Sequence, residues 1–195
     1  PSLFGMLKLK NNRVIDVVEK PKKGSEPSDI KALGIYVLTP DFFDIYQKTK
    51  KHQYDFEEAL SEFMKKFEVG LMLWDEDAPS LKYPWHLFGI KNYLFKNLKR
   101  SISSKAEIAR SAGIMGEVIL EDGVKIFEGV RIKGPCYLGK NVVVGNNALL
   151  RNGVDVEEGS VIGAYMEMKN TLVMKGSTTH SGFIGDSVIG EDCRI

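Results

Sequence analysis

Three histidines supply the only side chains that titrate near neutral pH in their ordinary state, and each sits in a different setting. His52 lies among Lys50, Lys51 and Gln53 and reads as an inert surface group. His86 follows Tyr83-Pro84-Trp85 and reads as a packing or helix-surface residue. His180 falls where a long repeat changes phase, and interruptions in repeat proteins tend to lie on a functional face. The bland alternative is a corner or intersubunit histidine with a satisfied hydrogen bond. Asp75-Glu76-Asp77 offers carboxylates of the kind a hard cation takes, although such a cluster is usually a solvated loop. Cys136 and Cys193 are the only thiols, which points to a reducing cytoplasm rather than a disulfide framework. No glycine-rich GxGxxG phosphate loop is present.

These groups need a scaffold, and the repeat supplies one. From Ile102 in steps of six come Ile108, Ile114, Leu120, Ile126, Ile132, Leu138, Val144, Leu150, Val156, Ile162 and Met168, every one a large aliphatic. In a chain that is 43% apolar, chance gives such a run roughly 4 times in 100,000 for one phase. A period of six fits neither a helical stripe nor an alternating strand. It fits a chain coiling around a three-sided prism, about eighteen residues per coil, with roughly five coils. Gly139, Gly145, Gly153, Gly159, Gly163, Gly185 and Gly190 are expected at the corners, where positive φ is called for. Phe183, Ile189 and Ile195 also step by six but stand three residues off register, so the chain loops out or loses residues between Met168 and Phe183.

The chain has 195 residues, 27% charged, with a net charge of +1, so no global field recruits nucleic acid or an acidic membrane. It holds no apolar run of about 18 residues that would span a bilayer. Residues 1–83 read as α/β. Strands are expected over 5–10 and 13–19 around an Asn11-Asn12 turn, then over 33–38 and 69–74. Thr39 and Pro40 open a helix as N-cap and first residue, and 55–67 form a second helix with Phe56, Leu60, Phe63 and Met64 on one stripe. Residues 84–101 read as a connecting helix into the prism at 102–195. Pro1 is not an initiator Met and the chain stops inside a running repeat, so it is expected to be part of a longer enzyme, truncated at both ends.

Phe4-Gly5, then Glu19-Lys20-Pro21, then Gly34-Ile35-Tyr36-Val37, then Tyr83-Pro84-Trp85 leading into hexapeptide repeats form an ordered set. This order resembles sugar-1-phosphate nucleotidylyltransferases with a C-terminal left-handed β-helix, in particular the bifunctional uridylyltransferase/glucosamine-1-phosphate acetyltransferase group. The resemblance implies a partial α/β nucleotidyltransferase domain followed by a left-handed parallel β-helix. It implies that Gly5 comes close to the sugar, Glu19 hydrogen-bonds sugar hydroxyls and Lys20 contacts the sugar 1-phosphate. A flexible ammonium suits that last task. The nucleotide loop and one metal-binding Asp would lie outside this chain, so the chain alone is expected to be inactive.

On the prism, the resemblance implies that Arg151 and Lys169 bind a sugar phosphate, the first bidentate, the second as a point charge. It makes His180 the general base for acetyl transfer. Three departures count against this: the Lys169-to-His180 segment is one residue short, Phe183 replaces a Tyr, and Arg194 replaces an Asn. The family's metal-binding Asp falls on Ser80, so no metal ligand is assigned here. Mg²⁺ and acetyl-CoA, a nucleoside triphosphate and a sugar 1-phosphate, and a homotrimer through the β-helix are the implied cofactors and partners, in the cytoplasm. A non-catalytic trimerisation or regulatory module with degenerate sites is the competing reading.

Overall fold

The computed structural model describes residues 4–11, 13–76 and 78–195. Asn12 of the expected turn and Asp77 of the acidic cluster lie outside them. The chain forms two compact units, Pro1–Ala78 and Pro79–Ile195.

In the first unit, β1 (Gly5–Lys10) and β2 (Arg13–Glu19) pair antiparallel from Gly5↔Glu19 to Lys10↔Arg13, as the alternation predicts. Helices α1 (Asp41–Lys48) and α2 (Asp55–Lys66) follow. Phe42, Ala59, Leu60 and Phe63 form one buried cluster, with Phe56 and Met64 packed against it. The expected stripe is therefore real. Leu7, Val14 and Val17 form a second cluster.

Two expected strands do not form. Residues 33–38 run as an unpaired segment with Ile35 84% exposed, and of 69–74 only Val69 makes a bridge, to Val14. Apolar β-formers become a strand by pairing, and among the described residues neither run finds a ladder partner of that length. The cap of α1 also shifts by one: Pro40 is the N-cap residue, and the Thr39 hydroxyl donates to Asp41 Oδ2 at 2.9 Å instead of to the helix backbone.

The second unit opens with α3 (His86–Lys96) and continues as a β-helix of short parallel strands. Its first face stacks Ser101–Ile102, Val118–Leu120, Cys136–Leu138, Val154–Val156, Leu172–Val173 and Val188–Ile189. The second stacks Glu107–Ile108, Lys125–Ile126, Val143–Val144 and Val161–Ile162. The third stacks Gly113–Met115, Arg131–Lys133, Leu149–Arg151, Met166–Lys169 and Gly182–Gly185. Every pairing between coils is parallel, the arrangement expected of a left-handed β-helix.

The aliphatic hexad does face inward. Leu120, Ile126, Ile132, Leu138, Val144, Leu150, Val156, Ile162 and Met168 are each at most 2% exposed. Ile102 and Ile108, on the first coil, remain near 38% and 39% because no earlier coil covers them among the described residues. A second inward row stands four residues after the first: Val118, Val124, Val130, Cys136, Val142, Ala148, Val154 and Ser160. These smaller side chains fill the space near the corners, which tapers.

The phase break is a loss of residues. Ile132, Leu150 and Met168 pair in steps of eighteen, whereas Met168 pairs with Ile184 and Val173 with Ile189, steps of sixteen. Ile184 therefore takes the inward place, and Phe183 is 61% exposed rather than inward. The corner glycines divide by cause. Gly153 has φ +87°, the conformation expected. At Gly163 the reason is close approach, since an added carbon would collide with the His180 carbonyl oxygen.

Leu150→Ala is expected to lower unfolding free energy by about 2–5 kcal/mol. Ile108→Ala, at the open first coil, costs about 1 kcal/mol or less. Urea titration followed by circular dichroism compares them; equal losses would contradict the burial gradient.

Candidate functional sites

The first site gathers where β1 and β2 meet at their outer ends. Gly5 pairs with Glu19, and a carbon added to Gly5 would lie 2.8 Å from Glu19 Oε2. The Glu19 carboxylate thus lies over a backbone position bare of side chain. Lys20 takes φ +46°, a conformation that costs a non-glycine residue and turns its side chain out of the strand. Its backbone N–H donates to Phe4 O at 3.2 Å. Its ammonium donates to the Tyr54 hydroxyl at 3.4 Å and stands 5.2 Å from the centre of that ring. Burial raises the Tyr36 pKa, and Glu57 and Glu19 add to the rise. A carboxylate acceptor, an ammonium and two phenols therefore share one neighbourhood, a set able to hold hydroxyls and one anionic group.

The second site is a consequence of coil register. Arg151 pairs directly with Lys169 on the third face, and Lys169 with Gly185. Strands in a sheet lie about 4.8 Å apart, so these two cations point outward side by side. Like charges at such a spacing repel, and carboxylates relieve it. Arg151 Nε donates to Glu167 Oε1 at 2.7 Å, and Lys169 Nζ to Asp186 Oδ2 at 3.0 Å. Hydrogen bonds from Asn170 and Lys169 hold the Asp186 pKa below its ordinary value. The Phe183 ring lies across Gly185, so an aromatic face borders the cation row.

His180 lies on the turn two residues before Gly182, which pairs with Met166 on the same face. Its backbone N–H donates to Ile195 O at 2.8 Å, and its side chain is exposed. Arg194 is exposed and precedes Ile195 on that neighbouring turn. His52 bonds Glu58 at 2.6 Å on α2, and the ring of His86 accepts from the Lys82 backbone N–H at 3.1 Å. Both are accounted for locally, as their sequence settings suggest. Among the described residues, no group of three or more His, Cys, Asp or Glu could hold a metal ion. No helix there is long and apolar enough to cross a membrane.

Sequence reasoning missed the groups behind the second site. Lys91 of α3 is 2% exposed; it donates to Gly153 O and, at 2.8 Å, to Asn170 Oδ1. Burial lowers its pKa. Asp155 lies nearby on the first face, where burial pushes its carboxyl up to about 6, with Glu157 adding and Lys91 opposing. A lysine and an aspartate in such segments ordinarily read as solvated, so no signal marked them. Glu167 was findable, since it alternates with Lys169 on the outward side of one strand.

The family profile described as nucleotidyl transferase matches residues 1–86. Along its whole length the chain is 31% identical to the bifunctional protein GlmU of Methanococcus aeolicus, over 48% of that relative. It is 30% identical, again throughout, to a bifunctional sugar-1-phosphate nucleotidylyltransferase/acetyltransferase of Sulfurisphaera tokodaii, over 49% of it. The same holds at 30% for the bifunctional protein GlmU of Methanocaldococcus jannaschii, over 48%. The chain spans about half the length of the curated relatives it matches. The resemblance drawn from the ordered motifs thus extends from one end of the chain to the other.

The Asp155 environment makes a pH prediction. The folded carboxyl keeps its proton up to about pH 6, while the unfolded one loses it near 3.8, so this group costs stability as pH rises through that window. Asp155→Asn removes the loss. The variant is expected to match the parent near pH 4 and exceed it above pH 6, by on the order of 3 kcal/mol. Urea midpoints across pH 4–7.5 measure it, and an unchanged difference would refute the burial argument.

Proposed function

We propose that the protein containing this chain joins a sugar 1-phosphate to a nucleoside triphosphate, giving a nucleotide sugar and pyrophosphate, and acetylates an amino-sugar phosphate on its β-helix. Arg151 and Lys169, in register on neighbouring coils beside the Phe183 ring, carry the reading. Two fixed cations side by side suit one phosphate dianion, and the Phe183 ring lying over Gly185 offers an apolar face beside them on which a sugar can rest.

In the first reaction the Gly5 backbone approaches the sugar, Glu19 accepts from its hydroxyls and Lys20 offsets phosphate charge. The parent reaction calls for a divalent cation to offset phosphate charge. Ser80, at the family's aspartate position, offers a neutral hydroxyl, a poor ligand for such an ion, and no step is routed through a metal here. In the second reaction the amine attacks the thioester carbonyl of acetyl-CoA. A nitrogen–carbon bond forms, the carbon–sulfur bond breaks, His180 takes the amine proton, and the thiolate leaves to be protonated.

A second reading has one observation behind it. Phe183 and Tyr165 are 61% and 70% exposed on the β-helix, so a trimer burying apolar outward groups, with degenerate sites, is the alternative. A cytoplasmic homotrimer is compatible with both readings.

In the full-length protein, His180→Ala is expected to lower acetyl transfer by about 10²–10⁴-fold while pyrophosphate release is unchanged. Lys20→Ala should do the converse, raising the KM for sugar 1-phosphate about tenfold. The present chain alone should release no pyrophosphate. Unaltered acetylation by His180→Ala would remove it as the base, and a solution mass of one chain would remove the trimer.

A further inference from the structure

The buried Lys91 has no part in the chemistry above, yet its bonds run to both turns that follow the paired cations. Its ammonium donates to Gly153 O, two residues after Arg151, and to Asn170 Oδ1, one residue after Lys169. Asn170 then donates through Nδ2 to Asp186 Oδ1 at 2.8 Å, while Lys169 donates to Asp186 Oδ2. The Asn170 backbone N–H closes the set on Arg151 O at 3.1 Å. Asn152, Gly153 and Asn170 all have positive φ, so both turns are held in conformations that need support.

We propose that Lys91 is a positioning residue for an anion site on the third face: resting on the reading that Arg151 and Lys169 bind phosphate, it fixes the spacing of their two turns and, through Asn170, keeps one oxygen of Asp186 off Lys169. The ligand is a phosphate monoester. A fully buried ammonium bonded to one carbonyl and one amide is costly to keep in place. An apolar residue would pack α3 as well, which sets the cost against a gain in geometry. The chain of bonds is short and directional, and it ends on the side chain that meets the ligand. Because Asp186 is shared between Asn170 and Lys169, freeing Asn170 releases the second carboxylate oxygen, so both oxygens can turn to the lysine and compete with an incoming phosphate.

The test titrates inorganic phosphate into the full-length protein by ³¹P line broadening, with the fold monitored by circular dichroism. The β-helix site is defined as the affinity that Arg151→Ala removes. Lys91→Met keeps the aliphatic stem and is expected to weaken that affinity about tenfold. Asn170→Gly suits the positive φ, leaves the bond to Gly153 in place and should weaken it about threefold. Lys91→Arg should recover part of the loss. Folded Lys91→Met with parental affinity overturns the proposal; if that variant does not fold, Asn170→Gly at parental affinity does so. If Arg151→Ala also changes nothing, the phosphate reading of the third face falls, and not only its brace.

Discussion

Each coil of the β-helix is aligned by hydrogen bonds to the coil before it, and this ladder decides where the strand side chains of the β-helix point. Val143 pairs with Lys125 on one side and Val161 on the other; Leu150 pairs with Ile132 and Met168. The interior is then closed by stacking like on like, a row of large aliphatics and a row of small residues. Because strands stand only about 4.8 Å apart, one coil cannot hold its core without the next. The outward rows follow from the same alignment, so two residues eighteen apart in sequence become neighbours in space.

That constraint explains why the candidate site on the prism was partly legible. The hexad located one inward row, and the residues flanking each of its members on a strand had to face out. Arg151 and Lys169 are each one step beyond an inward residue, Leu150 and Met168, so their adjacency follows from the period. Past Met168 the period no longer applies, which is why Phe183 was misplaced and Ile184 overlooked. The row of Val118, Val124, Val130 and their successors was present in the sequence at the same spacing. It was missed because valine, alanine and serine together do not announce a core.

The first unit was legible where a pattern could be satisfied locally. The β1–β2 hairpin needs only its own two strands, and α2 carries its stripe within one segment. Residues 33–38 and 69–74 are as apolar as strands, but composition cannot say whether a partner edge exists. Lys91 and Asp155 were illegible for a different reason. Their burial arises from how α3 covers the β-helix, and no local pattern encodes a long-range contact between a helix and a turn 79 residues away.

The shortening from eighteen to sixteen residues per coil has a consequence for how this protein tolerates change in length. The missing residues are taken from corners, and after each corner the ladder restores alignment, so the row through Arg151 and Lys169 continues to Gly185 undisturbed. The inward places there are taken by Thr171, Ser177 and Thr179, whose compact side chains suit a narrower tube; the Ser177 hydroxyl bonds Gly190 O at 2.6 Å. Corners therefore act as slack in an otherwise rigid weave. A residue dropped within Met166–Lys169 has no such refuge: it would turn Glu167 into the interior and Met168 out to water, exchanging the lining of the tube for its surface in a single step.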